Sequence, residues 1–195
     1  MNKGKQLWLL AGGNGAGKST FYRTQLEPLG LPFINADILA ELLSPEQPEQ
    51  HSYEAAKIAE EMRMQLLHQG RSFCFESVFS HPSKIDFASQ AKMMGYEVIL
   101  VFIHLDTISL NHARVAQRVS EGGHTVPEDK VSSRIPRTLQ NIKQTLALCN
   151  RVYLLNNSSF DSPFQQIAEI QNGQITIQVD LLPEWAKILL ADYLL

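Results

Sequence analysis

Gln6 to Ala11 is a short, nearly unbroken apolar run that stops at glycine, the pattern of a strand buried on both faces. Leu31 to Asn35, Ser72 to Phe75, Tyr96 to His104 and Arg151 to Leu155 read in the same way, Tyr96 to His104 most strongly. Between these runs the period lengthens to that of a helix. From His51 to Gln69, the apolar residues Ala55, Ile58, Met62 and Leu66 recur with charges between them, and Gly70 stands where a helix commonly stops. The same reasoning predicts helices over Lys18 to Pro28, Pro82 to Met94, Thr107 to Ser120 and Glu128 to Cys149, the last interrupted at Pro136. Five strands alternating with helices predict a mostly parallel sheet with right-handed crossovers, covered on both faces. The tail departs from this rhythm: Gln166 to Gln171 and Gln174 to Val179 flank Asn172-Gly173, a strong hairpin signal. Pro183 then opens a terminal helix that carries Trp185.

At 195 residues the chain has the size of one domain with appendages, and no Pro-, Gly- or Ser-rich linker divides it. The expected layout is a single domain over 1–195, with a core at 6–155, a lid near 114–137, and the hairpin and helix at 163–195. A composition of 44% hydrophobic and 19% charged residues excludes disordered, collagen-like and coiled-coil classes. A net charge of −3 argues against a broad nucleic-acid-binding surface. That charge is unevenly placed, because 114–137 carries five basic and three acidic side chains while the remainder carries 12 and 17. A confined cationic cleft therefore survives the acidic total. Cys74 and Cys149 lie in apolar stretches with no partner at a metal-ligand spacing, and read as buried thiols in a reducing compartment. With no secretory h-region and no apolar run near the ~20 residues of a membrane span, a cytoplasmic setting without a membrane partner is expected.

One motif decides the class. Gly12-Gly13-Asn14-Gly15-Ala16-Gly17-Lys18-Ser19 fits G-x-x-x-x-G-K-[ST], and it lies between a predicted strand and a predicted helix, the context that confirms it. Glycines let the loop turn its backbone N–H groups into one concavity, and the helix start adds its positive dipole end. Gly12 to Thr20 are therefore expected to hold ATP, with Lys18 reaching the β- and γ-phosphates and the Ser19 hydroxyl on Mg²⁺.

What happens to the triphosphate is a separate question. Asp106, after the strongest strand, is the candidate for an acidic metal motif, but Thr107 follows it rather than glutamate, and a helix N-cap explains it at least as well. No residue stands ready to orient a hydrolytic water. Phosphotransfer needs a carboxylate that accepts the proton of an attacking hydroxyl, and cations that follow the phosphoryl group. Asp37, in Asn35-Ala36-Asp37 at the carboxyl end of the second strand, is either that base or the N-cap of a helix at Ile38. Glu76 ends the third strand on the same edge, placed to hydrogen-bond a substrate hydroxyl or a metal-bound water. Arg114, Arg118, Arg134 and Arg137 cluster with Lys130 and His124 around the glycine turn Glu121 to Glu128. Arg114 and Arg118 share one helix face. Such helices read either as a lid that closes over phosphates or as a solvated basic pair.

Ala11 to Thr20, Asn35-Ala36-Asp37, Phe75-Glu76-Ser77-Val78, and the run from Arg114 to Arg118 into Gly122-Gly123-His124-Thr125-Val126-Pro127-Glu128 together resemble the zeta-toxin-like P-loop kinases of bacteria. The resemblance covers roughly residues 6 to 155; the Leu-Ser-Gly-Gly-Gln signature of ABC-type ATPases is absent. It implies a three-layer α/β P-loop kinase that uses ATP and Mg²⁺ to phosphorylate the sugar 3′-hydroxyl of UDP-N-acetylglucosamine or a related sugar nucleotide, interfering with cell-wall synthesis. Any antitoxin partner would be a separate protein. Carried over residue by residue, Lys18 and Ser19 hold ATP and Mg²⁺, Asp37 is the base, Glu76 supports the substrate side, and Arg118 is a phosphate-contacting lid arginine beside Arg114. Where the family has a second lid arginine this chain has His124, with Arg134 as the candidate substitute. Two other classes fit the same motifs. One is a nucleotide-dependent regulatory module or NTPase whose partner surface is the hairpin and the Trp185 helix. The other is a nucleoside or polynucleotide kinase with the Arg114 to Arg137 face as acceptor site.

Overall fold

At the centre of the sheet, β1 (Gln6–Ala11) pairs in parallel with β3 (Phe73–Ser77) on one side and β4 (Glu97–His104) on the other. The structure is a computed structural model and describes residues 4–123 and 125–194. β2 (Phe33–Ile34) and β5 (Arg151–Asn156) extend the parallel set outward, which gives the five strands expected. The hairpin does not stand apart. β6 (Gln165–Gln171) pairs antiparallel with β5, and β7 (Gln174–Ile177) with β6, making seven strands in the order β2-β3-β1-β4-β5-β6-β7. The reason is burial: Ile167, Ala168 and Ile170 of β6 are almost fully buried beside β5, whose edge would otherwise be bare. Asn172 and Gly173 turn the hairpin with φ of 50° and 83°, as their sequence signal requires.

Among the described residues there are seven α-helices, the last of them after the final strand: α1 (Lys18–Phe21), α2 (Ala36–Leu43), α3 (Ser52–His68), α4 (Ser83–Met93), α5 (Ile108–Ser120), α6 (Glu128–Thr145) and α7 (Glu184–Leu190). Three details differ from the sequence pattern. α1 passes into a π turn, Tyr22–Leu26, and a 3-10 turn, Glu27–Leu29, instead of continuing as one helix. α6 runs unbroken through Pro136, which sits on its exposed side, because Val131, Ile135, Thr138 and Ile142 bury the opposite side on both flanks of the proline. β3 does not end at Phe75 but carries on through Glu76 and Ser77, which places the Glu76 side chain inside the strand's alternation.

The larger core lies on one face of the sheet, where Leu7, Leu9, Phe73, Phe75, Leu100 and Phe102 meet α3, α4, α6 and α7. A smaller core on the other face joins Leu10, Cys74, Val101 and Ile103 to Phe21, Tyr22 and Leu26. Cys74 and Cys149 are free buried thiols, and burial pushes the pKa of both up. No helix among the described residues is long and apolar enough to cross a membrane.

The tail is bound to this frame through Trp185. Its ring packs edge-on against Phe102, and its Nε1–H donates to Asp106 at 3.1 Å. Only 6% of Trp185 is exposed, so its side chain is a core anchor. Asp106 also accepts from Asn156 Nδ2 at 3.0 and 3.1 Å, while Thr107 caps α5 by accepting from the Leu110 N–H. The N-cap role weighed for Asp106 therefore belongs to Thr107, and Asp106 braces the terminal helix.

His104 packs against both rings, its centroid 5.5 Å from that of Phe102 and 5.0 Å from that of Trp185. Burial pulls its pKa from 6.5 to about 4, with Asp106 opposing the shift. The unfolded chain thus binds a proton that the folded chain refuses across this window. His104 stability is full above the unfolded value and is lost as pH falls towards the folded one. We expect His104→Phe to show a shallower loss of urea midpoint than the parent between about pH 7 and pH 4.5. Equal slopes would show that His104 is not the titrating group.

Candidate active site

The loop after β1 is fixed by close approaches that only glycine allows. A Cβ at Gly12 would lie 2.2 Å from the carbonyl oxygen of Ile103, and one at Gly17 would lie 2.5 Å from Asn157 Nδ2. Gly17 also holds φ at 98°, immediately before the first turn of α1. Within the loop, the Ala16 N–H donates to the Gly13 carbonyl at 3.2 Å. Lys18 folds back over it, 7% exposed, and its Nζ donates to the same carbonyl at 3.1 Å.

Glu76 gathers the next shell. Its side chain is 8% exposed, with Oε1 3.6 Å from Lys18 Nζ. Oε2 accepts from Ser19 Oγ at 3.2 Å and from Asn35 Nδ2 at 2.8 Å. Asn35 uses its other end to cap α2, accepting from the N–H of Asp37 at 2.7 Å and of Ile38 at 3.2 Å. The N-cap role weighed for Asp37 therefore belongs to Asn35. Asp37 stands exposed in the first turn of α2, where the positive helix end favours a carboxylate. One amide side chain thus ties the base candidate to the carboxylate that holds the phosphate-loop lysine.

These residues line a cleft of about 960 Å³ at the carboxyl edge of β1, β2 and β3. Asn14, Gly15, Gly17, Lys18, Ser19, Thr20, Asp37, Glu76, Arg114 and Arg118 all face it. Burial lowers the pKa of Arg114, whose guanidinium also lies 5.5 Å from the Phe160 ring. Gly12, Gly13 and Ala16 are buried and do not line the cleft. Arg134 does not line it either; its Nη1 reaches Asn14 Oδ1 at 3.4 Å from behind the loop. Arg137 turns back onto its own helix, its Nε donating to the Ser133 carbonyl at 3.1 Å. His124 lies outside the described residues. A second groove, of about 690 Å³, runs between the loop 45–50 and the turn at Gly122 and Gly123.

Sequence reasoning missed the polar side chains that brace the loop. Asn157, 6% exposed, donates to the Ala16 carbonyl at 2.9 Å and accepts from the Phe164 N–H at 3.1 Å. Asn111 donates to the Asn14 carbonyl at 2.7 Å from α5. The position of Asn157, one residue past a parallel strand on the ligand edge, was the available signal. Nothing in the sequence marks Asn111.

The sequence model of the AAA domain matches residues 7–144. An uncharacterised protein of Haemophilus influenzae is 31% identical over 137 residues, covering 67% of this chain and 97% of that protein. Among solved structures, a chain of the native AvrRxo1-ORF1–ORF2 complex superposes with a TM-score of 0.75 at 19% identity, over 97% of this chain and 66% of that one. The same complex with ATP gives 0.74 at 18% identity, over 91% and 61%. The PezAT chromosomal toxin–antitoxin system of Streptococcus pneumoniae gives 0.67 at 18% identity, over 97% and 78%. At such identities the likeness is one of fold, the P-loop kinase-like α/β fold. The chain spans just under two thirds of the AvrRxo1 chain that it matches.

Gly17 and Gly173 separate the site's constraint from backbone strain alone. Both have positive φ, but nothing lies within 4 Å of a Cβ at Gly173. Gly173→Ala should cost about 1–3 kcal/mol of stability and leave ATP affinity unchanged. Gly17→Ala should abolish ATP binding in calorimetry, because the new methyl group displaces Asn157 from the loop. Retained affinity in Gly17→Ala would refute the bracing role.

Proposed function

The chain belongs to the AAA-domain family of phosphate-loop proteins, and we propose that it is a kinase that moves the γ-phosphoryl group of ATP onto a hydroxyl of a small acceptor. The observation that carries this reading is the chain of contacts from Lys18 through Glu76 and Asn35 to the head of α2, where Asp37 stands. It joins a phosphate-gripping cation to a carboxylate at the cleft, the two parts that phosphotransfer requires.

The donor set fits Mg-ATP. Lys18 and the loop offer N–H groups to phosphate oxygens, and the Ser19 hydroxyl beside Glu76 is a hard oxygen ligand with a carboxylate placed to hold the metal's waters. Among the described residues no three His, Cys, Asp or Glu side chains come together as a metal site, so phosphates and water would complete the coordination. When bound, Mg-ATP supplies the transferable phosphoryl group and neutralises charge on its β- and γ-oxygens. Asp37 accepts the proton of the acceptor hydroxyl as the oxygen–phosphorus bond forms and the bond to the ADP oxygen breaks. Lys18 follows the phosphates, and Arg114 and Arg118 approach from α5 to offset the charge on the transferring group. Closing α5 and α6 over the cleft would exclude the water that competes with the acceptor.

For the acceptor we infer a sugar nucleotide, UDP-N-acetylglucosamine being the first compound to test, on the motif resemblance and on a cleft that extends past Asp37 to Tyr22, Phe33 and Ile38. A cytoplasmic setting follows from the use of ATP and agrees with two free buried thiols. The shared fold with the PezAT structure supports a separate antitoxin as partner.

Incubated with Mg-ATP and a panel of UDP-sugars, free sugars and nucleosides, the protein should release ADP only when its acceptor is present. Equal ADP release without any acceptor would sink the kinase reading. Asp37→Asn should keep ATP affinity while lowering phosphotransfer by about 10²-fold or more, the size expected for loss of a general base. Normal turnover in that variant would remove Asp37 from the mechanism.

A further inference from the structure

On the face of β3 turned away from the phosphate loop, two cations share one aromatic ring with no anion among the described residues at ion-pair distance. Arg63 of α3 is 5% exposed, and its guanidinium lies over the Phe75 ring at 4.1 Å and within 5.3 Å of Phe87. Its Nε has no hydrogen-bond partner. Lys84, in the first turn of α4, brings its Nζ within 5.7 Å of the same Phe75 ring. Among the described residues, neither side chain makes a hydrogen bond or an ion pair.

Each part of this arrangement is unfavourable on its own. Burial lowers the pKa of both groups, and Arg63 lowers that of Lys84 further; only Glu60 opposes, from an exposed position and without closing to ion-pair distance. The start of α4 is the positive end of its dipole, the wrong end for a lysine. Folded proteins almost always pair a cation buried as deeply as Arg63. Ring faces offset part of the cost but accept no N–H bond along the guanidinium edge.

We propose that Arg63 and Lys84 bind one oxyanion, a phosphate or carboxylate group, at a site separate from the phosphate loop. The guanidinium fork matches two oxygens of such a group, and the ammonium supplies a point charge from the half-buried, solvent-reached side. Phe75, on which both cations rest, is the backbone neighbour of Glu76. Strand β3 therefore carries the carboxylate that holds Lys18 and Ser19 on one face and an anion receptor on the other. The oxyanion is either free in solution or carried by the acceptor; only the second source rests on the kinase reading.

The deciding experiment titrates inorganic phosphate into the full chain with the phosphate loop already saturated by Mg-ADP, followed by calorimetry. One further equivalent should bind, and Lys84→Gln should weaken it at least about tenfold with an unchanged Tm. Arg63→Met, which keeps the packing volume, should do the same if it folds; Lys84→Gln decides the matter if it does not. No second equivalent, or equal binding in Lys84→Gln, overturns the site. A second arm compares acceptors: if the acceptor carries the anion, Lys84→Gln raises KM for a UDP-sugar but not for a neutral sugar or ATP. Unchanged acceptor KM with lost phosphate binding assigns the site to a free anion. Failure of every acceptor to turn over would strike the kinase reading alone, because the phosphate titration does not depend on it.

Discussion

A buried carboxylate needs donors, and Glu76 finds all of its own within the phosphate-binding machinery. Lys18, Ser19 and Asn35 converge on it from two elements that are distant in sequence. Removing either partner of a buried ion pair leaves the other uncompensated, a cost of about 3–5 kcal/mol, so Lys18 and Glu76 each hold the other in place. Asn35 then carries that constraint to the start of α2, because the amide that donates to Glu76 also caps the helix bearing Asp37. The phosphate-loop lysine, the Ser19 hydroxyl and the proposed base therefore share one hinge point. A displacement at Glu76 would be felt by all three.

The sheet makes this convergence possible. In the order β2-β3-β1, the strand that ends in the phosphate loop lies directly beside the strand that carries Glu76, and that strand lies beside the one that leads to Asn35. Parallel pairing brings all three carboxyl ends to one edge, the usual ligand edge of open α/β sheets. The tail contributes from the far side. β6 extends the sheet at β5, Trp185 ties α7 to Asp106, and Asn157 then reaches from the end of β5 to the floor of the phosphate loop. The terminal hairpin and helix are thus part of what keeps the loop in shape.

Much of this was legible in the sequence because it rests on local chemistry. The phosphate loop, the five parallel strands and the Asn172-Gly173 turn each follow from residue types that admit few backbone alternatives. Asp37, Glu76, Arg114 and Arg118 were readable as strand-end and helix-face residues, and the fold brings them into one cleft. What escaped depends on partners far along the chain. Pro136 looked like a break because its packing partners cannot be seen in sequence, and Asp106 looked like a cap because Trp185, to which it is bonded, lies 79 residues away. Asp37 stayed open as base or cap for the same reason: Asn35 is the residue that accepts the helix N–H groups, and it is held there by its bond to Glu76.

If the chain is a kinase, the γ-phosphoryl group leaves ATP for an acceptor hydroxyl and not for water. Phosphorus NMR of the reaction with Mg-ATP and UDP-N-acetylglucosamine follows that group directly. A kinase should give a new phosphomonoester resonance that grows in step with ADP while inorganic phosphate stays at background. Growth of inorganic phosphate alone, with no ester resonance from any sugar nucleotide, would contradict the kinase reading.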